Sequence, residues 1–195
     1  MPPSTYDSRS PDAPRSDEAL MRRVADNDVV AFAELARRYQ QPLYRFACRM
    51  LGDAADAEDM VQETLLRIYQ ARARFRPDAT FRPWAFRIAA NQCRDRLRWR
   101  RRRREAPLEA AAGRASGLAN PSAETEAHEL EDRLAQAIAA LPEKHRAVFL
   151  MARYEGMPYD DVAKALGIPV GTVKSRMNKA VRLLLAALET PETAP

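Results

Sequence analysis

Apolar residues recur at the spacing of an α-helix in two blocks of the chain, and this pattern restricts the fold more than any other feature. In residues 17–104 and 127–189 the large apolar side chains stand three and four positions apart, as Phe32, Leu35 and Tyr39 do. The alternation typical of a half-buried strand is nearly absent. We therefore predict an all-α protein that has two small helical domains.

The segment between the two blocks, residues 105–126, has a different composition. It is rich in Ala, Gly, Ser and Pro and holds few large apolar residues, so it buries too little surface to offset the entropy of ordering. We predict a flexible linker there, which would tether the two domains loosely. Residues 1–16 are polar and rich in Pro and Ser, and residues 190–195 are also polar. We predict a disordered N-terminal tail and a short C-terminal tail.

Neither a secretion signal nor a membrane segment is visible. Residues 1–16 lack the apolar run of a signal peptide, and no window reaches the roughly 18 uninterrupted apolar residues of a membrane span. The two cysteines, Cys48 and Cys93, lie in apolar helical patterns, which is typical of buried free thiols in a reducing compartment. We expect a cytoplasmic protein without membrane insertion.

Turn-forming residues divide the first block into helices. Breaks are expected at residues 26–28, at Gln41-Pro42, at Gly52-Asp53 and at residues 75–80. Asp53 or Asp56 is suited to cap the helix that follows the third break, and Thr80 is the predicted cap of the last helix in this block.

The stretch "GIPVGTVKSRMNKAV", residues 167–181, indicates a helix-turn-helix. A short helix over 159–166 would end at Gly167 in the left-handed conformation, and the next helix would begin with Thr172 as its cap. Two helices joined by a short glycine-containing turn form the motif whose second helix enters the major groove of DNA. The apolar residues Val173 and Met177 would face the core.

The outward face of that second helix carries cations and no acid. Arginine binds guanine and asparagine binds adenine in the major groove, while lysine and serine contact bases or phosphates. A solvated helix face is the alternative, but a face of mixed sign would suit it better. The predicted DNA-binding residues are Thr172, Lys174, Ser175, Arg176, Asn178, Lys179 and Arg182.

An arginine run, "RDRLRWRRRRR" at 94–104, ends the first block, which carries 20 Arg and Lys against 12 Asp and Glu over residues 17–104. Such a run suits a phosphate-binding stripe, although a solvated helix end or a tract for any polyanion would have the same composition. Trp84 lies upstream on the same predicted helix, and aromatic rings beside arginines suit unstacked bases. Core packing is the alternative for Trp84 and for Phe81.

Three stretches, in this order, resemble the extracytoplasmic-function (group IV) sigma factors of bacterial RNA polymerase. They are "DAEDMVQETLLRIYQ" (56–70), "FRPWAFRIAANQCRDRLRWRRR" (81–102) and "LPEKHRAVFLMARYEGMPYDDVAKALGIPVGTVKSRMNKAV" (141–181). The resemblance implies a four-helix sigma-2-like domain over 17–104 and a sigma-4-like helix-turn-helix domain over 127–189. It implies a sigma factor, not an enzyme, which directs promoter-specific initiation by core RNA polymerase at the bacterial nucleoid.

The resemblance also implies partners and site residues. The partners would be promoter DNA, the β′ clamp and β subunits of core polymerase, and an anti-sigma factor, with no cofactor and no metal. The expected polymerase-binding residues are Asp59, Gln62 and Glu63. The residues expected to melt and read the −10 element are Arg76, Asp78, Thr80, Phe81, Trp84, Arg87, Asn91, Arg94 and Arg98, and the predicted helix-turn-helix would read the −35 element.

Other functions fit parts of the sequence. A dimeric helix-turn-helix repressor explains the second block but leaves residues 17–104 without a role. An RNA-binding arginine-rich protein explains the run at 94–104. An enzyme fits least, because the sequence has no glycine-rich phosphate loop and because His128 and His145 lie in separate helical contexts.

Overall fold

The computed structural model describes residues 16–76, 78–105 and 126–189, and these ranges contain helices and turns but no strand. The prediction of an all-α fold with two helical domains is confirmed. The predicted tails, apart from Ser16, and residues 106–125 of the predicted linker lie outside the described residues. None of the helices in the described ranges is long and apolar enough to cross a membrane.

Four helices form the first domain. They are α1 (Asp17–Ala25), α2 (Val29–Leu51), α3 (Ala54–Gln70) and α4 (Phe81–Glu105), with a 3₁₀ turn at Arg72–Arg74. Side-chain caps fix three of the helix starts. Ser16 Oγ accepts from the Ala19 amide at the start of α1, and Asp28 Oδ1 accepts from the amides of Val30 and Ala31 at the start of α2. Asp53 caps α3 by accepting from the Asp56 amide at 2.8 Å, which confirms the first of the two predicted caps.

The second domain also contains four helices. They are α5 (Glu126–Ala140), α6 (Glu143–Phe149), α7 (Tyr159–Leu166) and α8 (Val170–Glu189). A π-helical turn, Leu150–Tyr154, continues α6, and a short loop then connects it to α7.

Two predicted helix boundaries differ from the structure, whereas α4 begins at Phe81, directly after the predicted cap position Thr80. Pro42 lies inside α2 without breaking it, because the buried neighbours Tyr39, Leu43 and Phe46 hold this helix to the core on both sides of the proline. Thr172 does not cap α8, which begins at Val170, and its amide donates to Pro169 O. The first amide of α4, that of Phe81, donates to Glu18 Oε1 of α1 at 2.9 Å.

Aromatic contacts join the helices of the first domain. Phe46 and Phe86 meet edge to face with centroids 5.4 Å apart, and Tyr39 and Phe81 do so at 4.9 Å. The Tyr39 hydroxyl donates to Asp17 Oδ2 at 2.5 Å, and burial, followed by this contact with a carboxylate, raises the pKa of Tyr39. These contacts fix α1 and α4 against α2.

The two domains pack against each other, and we call this the closed arrangement. Helix α4 of the first domain lies against α7 of the second. Arg82 Nη2 donates to Glu155 O at 2.5 Å, and Arg146 Nη1 donates to Met50 O at 2.7 Å. The guanidinium of Arg49 lies 4.2 Å from the ring centroid of Tyr154. The composition of residues 105–126 predicts that the two domains are only loosely tethered. In the structure the domains are also in direct contact.

Candidate nucleic-acid and polymerase interfaces

The turn between α7 and α8 has the predicted helix-turn-helix geometry. Gly167 adopts φ 65°, a left-handed conformation that glycine takes without steric cost. Its amide donates a hydrogen bond to Ala163 O, which ends α7. The turn aims α8 so that one stripe of this helix is buried. The stripe consists of Val173, Met177, Ala180 and Leu184.

The opposite side of α8 presents the predicted DNA-binding residues together, and we call them the recognition face. Thr172 and Arg176 are half-buried, and the other five, Lys174, Ser175, Asn178, Lys179 and Arg182, are exposed. Ser175 Oγ donates to Thr172 O at 3.1 Å, so this hydroxyl still has lone pairs free to accept. The face offers four cations along about three turns of helix, which is the size of an insertion into one major groove.

His145, which is not among the predicted DNA-binding residues, lies beside the recognition face. It belongs to α6, which packs against α8. Burial, and then the positive charges of Lys144, Arg176 and Lys179, lower the pKa of its imidazole below the usual value. Lys144 therefore extends the positive region of the recognition face onto α6. Only packing between helices about 30 residues apart in sequence brings these groups together.

The predicted −10 residues of α4 form a stripe along one side of the helix. Arg87, Asn91, Arg94 and Arg98 are spaced three and four residues apart, and all four are exposed or half-buried. Arg94 Nη2 donates to Asn91 Oδ1 at 2.8 Å, so the two side chains are held as a pair. We call these four residues the α4 stripe.

The loop before α4 and the aromatic residues beside it lie near one end of the stripe. Arg76 and Asp78 form an exposed ion pair at 3.2 Å, and Thr80 is exposed. Trp84 is half-buried and packs edge-on against Phe75 with centroids 5.2 Å apart. The exposed part of the Trp84 ring could stack on a nucleic-acid base.

Phe81 does not fit the surface predicted for it. Its side chain is 1% exposed and lies between Tyr39, Phe75 and Trp84. A ring in this position has no face free to stack on a base. Phe81 therefore belongs to the core, where it supports Trp84 from below.

The arginine run at the end of α4 divides between intramolecular ion pairs and exposed positions. Arg96 Nη2 lies 2.7 Å from Asp56, and Arg100 donates to Leu51 O at 2.8 Å and contacts Asp56. Arg101 reaches Glu143 of the second domain at 3.9 Å. These arginines neutralise acidic residues at the start of α3 and α6, so the run is not the uniform phosphate-binding tract that its composition indicates.

The predicted polymerase-binding residues Asp59, Gln62 and Glu63 share one side of α3 and are exposed or half-buried. Glu63 Oε1 accepts from Arg67 Nε at 2.7 Å. The same three residues line an open groove of about 580 Å³ between α3 and α4.

No cluster of three or more His, Cys, Asp or Glu that suits a metal ion occurs in the described ranges.

Comparison with known proteins assigns both domains to one family. A model of Sigma-70 region 2 matches residues 35–104, and a model of Sigma-70, region 4 matches residues 131–184. The ECF RNA polymerase sigma factor SigL of Mycobacterium tuberculosis is 37% identical over 187 residues, which are 91% of this chain and 93% of the relative. The chain belongs to the extracytoplasmic-function sigma factors of the sigma-70 family. The resemblance stated from the three sequence stretches is confirmed.

Further similarities support the sigma-factor assignment. The RNA polymerase sigma-H factor of Pseudomonas aeruginosa is 32% identical over 181 residues, covering 89% of this chain and 94% of the relative. The solved structure of CnrH in complex with the cytosolic domain of CnrY is similar at a TM-score of 0.70 and 27% identity, over 90% of this chain and 98% of that one. As a sigma factor, the protein directs promoter-specific initiation of transcription.

Proposed function

We propose that this sigma factor joins core RNA polymerase through its first domain and reads the two promoter elements with separate surfaces. The polymerase-binding residues are Asp59, Gln62 and Glu63, which would meet the β′ clamp, while the second domain lies near the β subunit. The α4 stripe, with Arg76, Asp78, Thr80 and Trp84, takes the −10 element. The recognition face takes the −35 element. The observation that carries this proposal is the recognition face itself, an acid-free cationic surface directly opposite a buried apolar stripe.

The two DNA surfaces suit different states of the same template. The recognition face fits the major groove of duplex DNA, which anchors the second domain. Bases of the −10 element are then unpaired at a cost of a few kcal/mol per base, and stacking on Trp84 and on arginine planes returns about 1–3 kcal/mol per base. Capture of these bases holds open a bubble that thermal fluctuation begins. The sigma factor makes and breaks no covalent bond, needs no cofactor, and acts with the polymerase on the nucleoid in the bacterial cytoplasm.

A second protein partner, an anti-sigma factor, is part of the same proposal. The solved structure similar to this chain over 90% of its length, that of CnrH, contains the cytosolic domain of CnrY. This similarity supports a partner that covers the polymerase-binding and DNA-binding surfaces of the sigma factor until a signal removes it.

The recognition face is tested by Arg176→Ala in transcription with core polymerase over a promoter library. We expect promoter binding to weaken by about 1–3 kcal/mol, with relaxed preference at one position of the −35 element, since one base-contacting side chain is lost. Arg153→Ala removes an exposed arginine of the same domain outside the recognition face and serves as the matched control. An unchanged promoter profile for Arg176→Ala would contradict the assignment.

The polymerase-binding residues are tested by Asp59→Arg. This exposed position tolerates the change, so we expect an intact fold and a loss of the complex with core polymerase on a sizing column. Asp26→Arg makes the same charge change at an exposed position after the end of α1, away from the three polymerase-binding residues, and should leave the complex intact. Undiminished complex formation by Asp59→Arg would reject this docking surface.

A further inference from the structure

The groove between α3 and α4 extends well beyond the three predicted polymerase-binding residues. Two matching rows of side chains form its walls, each spaced i, i+3, i+4 and i+7 along its helix, which places each row on one side of that helix. The rows are Asp59, Gln62, Glu63 and Leu66 on α3, and Gln92, Asp95, Arg96 and Trp99 on α4.

We infer that this groove receives a helix of the polymerase clamp, with Leu66 and Trp99 as its two apolar anchors. The inference rests on the proposed docking of the first domain and extends it from α3 onto α4. Leu66 is 49% exposed and Trp99 is 44% exposed. Large apolar side chains that are exposed on both walls of one groove are typical of a surface that binds a partner.

Contacts across the groove show where the two anchors stand. Asp56 of α3 pairs with Arg96, and Thr64 Oγ1 accepts from Gln92 Nε2 at 3.1 Å, so the two helices run antiparallel. Trp99 therefore lies towards the start of α3 and Leu66 towards its end. Arg96, three residues before Trp99, pairs with Asp59, and the seven residues from Asp59 to Leu66 span about 10 Å of helix rise. An incoming helix would therefore meet the two anchors with apolar residues at least two turns apart.

Two carboxylates of the groove, those of Asp59 and Asp95, are exposed and weakly paired, although Arg67 and Arg96 also line it. Asp59 and Asp95 are 71% and 68% exposed, and each meets its nearest arginine only at 3.5 Å. The matching partner is a helix that places cations between its two apolar residues. An aromatic side chain that stacked on melted DNA would instead belong beside the α4 stripe. Trp99 follows Arg98 by one residue, which turns it about 100° away from that stripe and towards these carboxylates.

Binding of the full-length sigma factor to core polymerase, measured by titration of a dye-labelled chain, tests the inference. We expect Trp99→Ala and Leu66→Ala each to raise the dissociation constant on the order of tenfold, because buried anchors carry most of an interface. Trp99→Phe should recover most of the affinity. Val30→Ala removes an even more exposed apolar side chain of the same domain outside the groove and should leave the dissociation constant unchanged.

Asp59→Arg, measured in parallel, separates failure of the groove from failure of the docking surface. If Asp59→Arg weakens binding while Trp99→Ala and Leu66→Ala do not, the docking surface stands and the anchors are wrong. If none of the three changes the dissociation constant, the docking surface itself is wrong. If Trp99→Ala keeps full affinity for polymerase but the holoenzyme loses affinity for a melted promoter strand, Trp99 stacks on DNA and the inference is overturned.

Discussion

Arginines that look alike in the sequence have different roles at the end of α4. Arg100 donates to Leu51 O and contacts Asp53 and Asp56, so it holds the start of α3 to α4. Arg102, two residues later and therefore on nearly the opposite side of α4, is exposed. The first stabilises the domain, whereas the second is free to contact a polyanion. A charge count cannot separate these roles, because the deciding partner lies more than 40 residues earlier in the chain.

Arg100→Ala is expected to lower the free energy of unfolding of the first domain by about 1–2 kcal/mol, because a partly buried carboxylate and a carbonyl lose a charged donor. The midpoint of urea unfolding, followed by circular dichroism, measures this change. Arg102→Ala should stay within about 0.5 kcal/mol of the parent protein. Equal midpoints for the two variants would show that the Arg100 contacts contribute nothing to stability.

The helices themselves were largely predictable, since helical periodicity is a local property. The buried stripe of α8 and the left-handed Gly167 follow from spacing and from turn chemistry. Pro42 was misjudged because packing on both sides outweighs the one backbone donor that proline removes. The burial of Phe81 also required knowledge of the fold, because the residues that cover its ring, Tyr39 and Phe75, come from other segments.

The turn of the helix-turn-helix depends on the backbone conformation of Gly167. A Cβ at this position would touch nothing within 4 Å, so the cost of Gly167→Ala is the strain of φ 65°. We expect the free energy of unfolding of the second domain to fall by about 1 kcal/mol. Gly171→Ala is the matched control, because Gly171 also has open space but lies inside α8 without a positive φ. That change should stabilise by roughly 0.5 kcal/mol. Thermal unfolding that ranks the two variants in the opposite order would contradict the assignment of strain.

The closed arrangement of the whole molecule does not match the geometry of a promoter. Helix α4 packs on α7, and α7 packs on α8, so two interhelical steps of about 8–10 Å keep the axes of the DNA-reading helices within about 20 Å of each other. The −10 and −35 elements lie about 25 base pairs apart by their labels, which is roughly 85 Å of duplex. The twenty residues 106–125 reach at most about 66–72 Å when fully extended, which is several times the separation of the two helices in the closed arrangement. Binding to both elements therefore requires the domain interface to open.

Glu155 makes that opening depend on pH. Its side chain is 2% exposed at the domain interface, and one carboxylate oxygen, Oε1, has no partner. Burial raises its pKa above the usual value, although Arg45, Arg82 and Arg49 oppose the shift. In the open chain this carboxylate would be hydrated and its pKa would return towards 4.5. The closed arrangement therefore binds the proton more tightly than the open one, and acidification favours closure.

The radius of gyration of the free sigma factor, measured by small-angle X-ray scattering, is expected to fall as the pH is lowered from 8 towards 5. The contribution of Glu155 to closure is complete below its open-state pKa and is lost as the pH rises through the raised pKa of the closed arrangement. Glu155→Gln mimics the protonated carboxyl and keeps the backbone carbonyl that accepts from Arg82, so this variant should stay compact and lose the pH response. Glu143→Gln, which removes another carboxylate at the domain boundary, should keep the response. Expansion of the parent chain on acidification, or a pH response that survives in Glu155→Gln, would show that Glu155 does not control closure.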